Sequence, residues 1–371
     1  MNATVRYVGL DVHKESITIA VAESGRAAAK QFAEVPHEWA ALAKALRRLG
    51  PTNRLRCCYE AGPTGYGLYR AMKTAGIDCV VVAPSLVPVQ SGRRIKTDRR
   101  DAVKLAHFLR SGDLTAVYVP DEATEALRDL ERARDDAKKA QRAARHQLAK
   151  FLLRNGRHWN RHGWTQAHLA WIRQQTLGHE AQRRVRDDYL KTVEDATARV
   201  DQLTRDIGEL VEHSALAPLI KALQAMRGVQ LVTGATIAAE MGDLKRFATA
   251  RQFMAYLGLV PSEHSSGQSQ CRGRITKAGN AHVRRVLVEA AWSYHFRPHL
   301  SQDMRRRSRG VADGVLRIAW QAQRRLHRKL TLLLARGKTK QKAVTAVARE
   351  LAGFVWAIGQ QEVLLADGQT V

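Results

Sequence analysis

The stretch Arg6-Tyr-Val-Gly-Leu-Asp-Val12, followed almost at once by Ser16-Ile-Thr-Ile-Ala-Val-Ala22, decides how the first third of the chain folds. The first segment is a short apolar run that reads as a buried strand; the second alternates and reads as its neighbour. Glu23-Ser24-Gly25 supplies turn chemistry, and Ala27 to Phe32 follows as a third strand, so an antiparallel meander is expected. Working outward, a helix over 37–49 carries Trp39, Leu42 and Leu46 inward. Arg54-Leu-Arg-Cys-Cys-Tyr-Glu60 is a fourth strand, a helix spans 65–75, and Asp78-Cys-Val-Val-Val-Ala83 is a fifth strand. A helical element from Thr97 to Arg110 closes the region.

Three consecutive strands and then helix–strand alternation is the order of the ribonuclease H fold, which predicts an α/β domain over residues 1–120. Residues 121–215 change character. Tyr189, Val193, Ala196, Val200, Leu203, Ile207 and Leu210 recur every three and four residues, a heptad seam that predicts a coiled-coil helix. The Ala-rich series Leu127, Leu130, Ala137, Ala140, Ala144, Leu148 and Phe151 reads as its partner or antiparallel mate. Between them Trp159, Trp164 and Trp171 are interleaved with His and Arg. They serve either as a base-stacking tip or, the reading put slightly ahead, as a cap in which the rings pack on each other. Residues 216–371 read as a mainly helical domain. Leu223 to Gly242 has the outline of a helix-hairpin-helix, whose turn can hold a phosphate, although Gln230 stands where a second glycine is usual. Residues 261–280 read as a polar loop, followed by helices near 281–295, 313–335 and 341–358.

Charge narrows the partners. The chain has 61 Lys+Arg, 44 of them Arg, against 35 Asp+Glu, a net +26. Arginine presents a planar fork that matches phosphate oxygens, so this excess points to nucleic acid. No apolar run reaches the ~20 residues of a membrane span. Met1-Asn-Ala-Thr-Val5 does not read as an export leader, and the cysteines (Cys57, Cys58, Cys79, Cys271) lack metal-ligand spacing, so a cytoplasmic setting is expected.

In so basic a chain, acids at strand ends are informative. Asp11 ends the first strand and Glu60 the fourth, neighbours in a ribonuclease H sheet. Asp98 and Asp101 lie three apart at a helix start, on one face. Each has an ordinary reading, a solvated helix start for the latter pair. Together the four predict a carboxylate cluster for Mg²⁺ or Mn²⁺ at a phosphate substrate. In the segment 261–280, Ser262, Ser265, Ser266 and Ser269 are each able to act as a nucleophile. Arg272, Arg274 and Lys277 are placed to hold phosphate, and Arg284 and Arg285 continue the basic face. Arg93, Arg94 and Lys96 are the corresponding cations of the first domain.

Tyr7-Val-Gly-Leu-Asp11-Val-His-Lys14, Tyr59-Glu60-Ala-Gly-Pro-Thr-Gly65, Lys96-Thr-Asp98-Arg-Arg-Asp101-Ala102, and Gly258-Leu-Val-Pro261 with Ser265-Ser266-Gly267 and Gly273-Arg-Ile-Thr-Lys-Ala-Gly-Asn280 carry a further signal. Over about residues 5–340 the chain resembles the transposases of the insertion sequence 110 family, relatives of the Piv DNA invertase. The resemblance implies a RuvC-like domain with a tetrad of Asp11, Glu60, Asp98 and Asp101, a coiled-coil dimerisation segment, and a C-terminal domain with a nucleophilic serine. That serine is Ser266, directly before Gly267, with Ser265 adjacent as the alternative. It further implies a site-specific recombinase acting on donor and target DNA under the guidance of a bridge RNA. Assembly is through homodimers to a tetramer whose sites combine the acidic domain of one subunit with the serine domain of another. Such a protein would be cytoplasmic and nucleoid-associated. Two other readings compete: a junction nuclease that hydrolyses with water and needs no serine, and a non-enzymatic nucleic-acid-binding protein.

Overall fold

The computed structural model describes residues 4–88, 98–263 and 272–367. The chain divides after Val119 into two compact units. The first holds β1 (Arg6–Val12), β2 (Ser16–Glu23), β3 (Lys30–Pro36), α1 (Trp39–Leu49), β4 (Leu55–Glu60), α2 (Gly67–Thr74), β5 (Asp78–Val82) and α3 (Asp98–Ser111). The strands form one sheet in the order β3-β2-β1-β4-β5. β2 is antiparallel to β1 and β3, while β4 is parallel to β1 and β5. The antiparallel meander is the one expected from the sequence, and β4 and β5 are the two further strands, added in parallel.

Side-chain alternation divides the sheet's faces. Val8 and Leu10 of β1, with Cys57 and Tyr59 of β4, pack against Leu42 and Leu46 of α1 and Met72 of α2. The opposite face is built of small residues: Ala20 and Ala22 meet Ala102 and Ala106 of α3. Gly9 belongs to this face too, and a Cβ there would lie 2.2 Å from the Ala102 carbonyl oxygen. Small side chains let α3 lie almost on the backbone of β1, which fixes the start of that helix against the end of that strand. Two expectations need correction. The third strand begins at Lys30, not Ala27, because Arg110 of α3 donates to the carbonyls of Glu23 and Ala27 and holds the intervening chain away from the ladder. Trp39 does not point inward: as the first residue of α1 it is exposed, and Leu42, Ala45, Leu46 and Leu49 fill the core.

In the second unit, α4 (Glu122–Arg154) and α6 (Glu180–Glu212) pack antiparallel, joined through the short α5 (Gln166–Gln174). Leu127 meets Ile207 and Val211 at one end, and Phe151 meets Tyr189 at the other. Between them Arg134 donates to Thr204 and Gln141 to Thr197. The buried row of α6 therefore runs Leu190, Val193, Val200, Ile207 and Val211, with Thr197 and Thr204 facing α4. It shares Val193, Val200 and Ile207 with the predicted seam, but Leu210, expected inside, is exposed. A row of period 3.6 drifts off a strict 3.5 repeat, and the side chains of α4 select which flank is covered. The three tryptophans pack around His168 of α5. Trp159 stacks on it at 5.0 Å, Trp171 at 5.8 Å, and Trp164 meets it edge-on at 5.2 Å. The rings thus cap the helix pair, and burial holds the His168 imidazole below its ordinary pKa.

Among the described residues seven further helices follow: α7 (Ala217–Leu223), α8 (Leu231–Met241), α9 (Ala250–Tyr256), α10 (Ala281–Ala291), α11 (Gln302–Arg307), α12 (Asp313–Ala335) and α13 (Lys340–Asp367). Their apolar faces form one large core centred on Phe253, Leu287, Tyr294 and Leu351. Part of the predicted polar loop is a hairpin, β6 (Pro261–Glu263) paired antiparallel with β7 (Arg272–Ile275). No helix is long and apolar enough to cross a membrane among the described residues.

Candidate active site

The first unit brings Asp11, Asp98 and Asp101 to one corner, while Glu60 ends the neighbouring strand β4. The parallel register of β1 and β4 runs as far as Leu10 opposite Tyr59, one residue before Asp11 and Glu60. Asp11 shares the parity of Gly9, and Glu60 that of Cys58, whose thiol contacts the Leu105 carbonyl of α3. Alternation along both strands therefore sends the two carboxylates to the face that α3 covers. Asp98 and Asp101 occupy the first turn of that helix. Burial lifts the Asp11 carboxyl above its ordinary pKa. His13 pulls it back, and the charges of Asp98 and Asp101 push it up again.

His13, unassigned in the sequence reading, sits among them. Its Nε2 lies 3.2 Å from Asp11 Oδ2 and 3.5 Å from Asp98 Oδ1, bridging two acids that would otherwise repel. One ligand atom from each of Asp11, His13 and Asp98 falls within 4.8 Å of the others. Two carboxylates and an imidazole fit a divalent cation, the carboxylates suiting Mg²⁺ or Mn²⁺, while the nitrogen departs from the all-oxygen shell Mg²⁺ prefers. The signal was present in Asp11-Val-His13, because residues two apart in extended chain share a face.

The second unit positions the serine segment by its roots. Gly258, at φ +62°, would put a Cβ 2.4 Å from the backbone N and O of Ala278. Gly279, at φ +65°, would put one 1.8 Å from the Tyr256 carbonyl. Only glycine fits either place, so the end of α9 and the start of α10 are clasped backbone to backbone. Asn280 caps α10 by accepting from Val283 N–H and donates at 2.7 Å to Glu240. Ser262 lies on β6, whereas Ser265, Ser266 and Ser269 fall outside the described residues, as do Arg93, Arg94 and Lys96. Arg272 contributes backbone to β7, and Arg274 and Lys277 are exposed. Arg284 instead donates to the carbonyls of Leu257 and Ala278, and Arg285 pairs with Asp135 and Glu289. Arg284 thus braces the segments flanking the β6–β7 pair, whereas Arg285 ties α10 to α4.

Residues 220–306 match the family described as "Transposase IS116/IS110/IS902 family", and residues 8–155 match one described as "Transposase", the DEDD transposases of IS110. A putative transposase, y4qE, of Sinorhizobium fredii is 45% identical over 358 residues, covering 96% of this chain and 88% of that one. The chain belongs to the IS110 family of transposases. A second relative of this insertion-sequence transposase, from element IS1533 of Leptospira borgpetersenii, is 32% identical over 90% of this chain and 97% of its own. A third, from element IS1111A of Coxiella burnetii, is 38% identical over 69 residues, 19% of each chain. The transposase is thus an enzyme of DNA recombination, with an acidic corner in its first unit fit for a divalent cation.

Proposed function

We propose that this transposase is a site-specific recombinase in which Asp11, Glu60, Asp98 and Asp101 form the metal-holding tetrad of a RuvC-like domain and Ser266 is the nucleophile. The convergence of Asp11 with Asp98 and Asp101 at the end of β1 carries the reading. A bound Mg²⁺ or Mn²⁺ would supply charge to polarise the attacking and departing oxygens of a phosphodiester. The protein's own part is to present the serine. Its Oγ gives up a proton and bonds to phosphorus, the bond to the departing sugar oxygen breaks, and that oxygen takes up a proton. The phosphoserine link conserves the energy of the broken bond, so rejoining reverses the same exchange. Arg272, Arg274 and Lys277 hold DNA or RNA backbone. The α4–α6 pair acts as the coiled-coil dimerisation segment, and a tetramer forms on donor and target DNA under a bridge RNA, in a cytoplasmic, nucleoid-associated setting.

The test is covalent capture on a supercoiled plasmid bearing the element's ends. The parent forms a protein–DNA adduct. Ser266→Ala forms none, and Asp11→Asn binds DNA without cutting it. Cleavage that survives Ser266→Ala would convert the reading to a hydrolytic nuclease. RNA recovered with the purified protein is expected to be one defined species; a mixture of cellular fragments would remove guidance from the account.

A further inference from the structure

The α4 helix presents Arg134, Lys138, Arg142 and Arg145 at spacings of four, four and three, one face of the helix over roughly 17 Å at 1.5 Å per residue. Among the described residues none of the four makes an ion pair. Arg134 bonds to Thr204 and Lys138 to Gln141. Crowding is severe enough that Lys138 is held below its ordinary pKa, first by burial and then by Arg145, Arg134 and Arg142. A charged helix face is usually a solvated one. Arg134, Lys138 and Arg142 instead wall a cleft of about 620 Å³ between α4, α8 and α10, which the first turn of α8 also lines. Glu131 lines it from α4, 5% exposed, and although its Oε2 accepts from Thr236, its Oε1 is buried with no hydrogen-bond partner. Further along the ridge a second cleft is lined by Lys138, Arg142, Arg145 and Trp164, with the Arg145 guanidinium 5.2 Å over the Trp164 ring.

We propose that this cleft holds the sugar–phosphate backbone of a single nucleic-acid strand, with Arg134, Lys138 and Arg142 on its phosphates and Glu131, as a carboxylic acid, donating to a phosphate oxygen. The volume is that of a small-molecule pocket, too small for a duplex, and a cationic groove ending at an aromatic ring is how single strands are held. A neutral carboxyl donates one hydrogen bond, whereas its carboxylate repels phosphate. Facing Glu131 are Arg134 and Asp135 on its own helix and Glu240 on α8; Arg132, Lys138, Lys139 and Arg142 also line the cleft from α4, His282, Arg285 and Glu289 line it from α10, and α6 contributes the uncharged Thr204. The proposal rests on the chain's handling nucleic acid and is independent of the acidic corner and the serine.

The test uses the full-length protein without divalent ion, so that strand chemistry is not read. Anisotropy of a labelled 20-nucleotide single strand, as DNA and as RNA of the same sequence, is followed across a salt series beside the duplex. Lys138→Ala/Arg142→Ala is expected to reduce the slope of log K against log salt by about 1.4, two phosphates at about 0.7 each, for the single strand only. Arg184→Ala/Arg205→Ala on α6 leaves the slope unchanged. Either sugar supports the proposal, and the tighter one identifies the strand. Strand binding by the parent weakens as pH rises from 6 to 8, Glu131→Gln flattens that dependence, and the difference between the two proteins is the readout. An unchanged slope, or equal losses for strand and duplex, overturns the assignment. A pH dependence identical in Glu131→Gln overturns Glu131's part in it.

Discussion

Glu131→Gln tests the electrostatics of the second unit directly. Burial raises the Glu131 carboxyl from 4.5 to about 7, against the pull of its bond from Thr236 and the charge of Arg134. A group whose folded pKa lies above its unfolded value holds extra protons in the folded state between the two. Its contribution is therefore complete at low pH and is lost as pH climbs through the folded value. At 1.36 kcal/mol per unit the full span is about 3 kcal/mol, of which about 2 kcal/mol falls between pH 5.5 and 8.5. Glutamine keeps an acceptor for Thr236 and never ionises. The variant should match the parent at pH 5.5 to within about 1 kcal/mol and gain about 2 kcal/mol on it by pH 8.5. Six of the seven tryptophans lie beyond residue 120, so urea unfolding followed by their fluorescence reads this unit. A parent–variant difference that is the same at both pH values would refute the account of Glu131 as a buried, protonated acid.

Gly9→Ala places a methyl against the backbone of α3, and should destabilise the first unit by roughly 1–3 kcal/mol. It should also abolish strand cleavage by separating Asp11 from Asp98; thermal unfolding and plasmid cleavage at a permissive temperature measure the two effects. Glu240→Gln removes a carboxylate that burial would raise but that Arg132, Asn280 and Arg128 hold below its ordinary pKa. Leaving buried Arg128 without its counter-charge should cost about 3 kcal/mol, read by urea unfolding at pH 7, and a loss under 1 kcal/mol would contradict the network. Gly279→Ala forces a Cβ into the Tyr256 carbonyl and should eliminate the covalent DNA adduct even where circular dichroism shows the helices retained.

The sheet was legible because its strands alternate or run apolar over short lengths, and Asp11 and Glu60 announced themselves as charges where a buried strand ends. His13 did not, since an imidazole next to Lys14 in a basic chain looks like one more solvent-facing cation until the strand's parity is known. Glu131 and Glu240 were invisible for a related reason. On a helix as charged as α4, or in a run as apolar as Ala235 to Met241, one acid carries no sign of whether its neighbours are water or the backbone of another helix. The seam of α6 was half legible. Val193, Val200 and Ile207 lie at seven-residue intervals that both flanks share, and only the bonds of Thr197 and Thr204 to α4 show which flank is covered. The tryptophan cluster was undecidable by composition, because rings that stack on one another and rings that stack on bases have the same surroundings in sequence.

The antiparallel arm has an engineering property of its own. α4 and α6 are each 33 residues, about 50 Å, and the chain leaves and rejoins the body at the same end. Excising seven residues from each helix at facing positions would bring the tryptophan tip about 10 Å nearer the body while turning it by only about 20°. The arm is in effect a gauge whose reach is set in heptad steps, and trimming or extending it would reveal how far from the body the tip must stand for recombination to proceed.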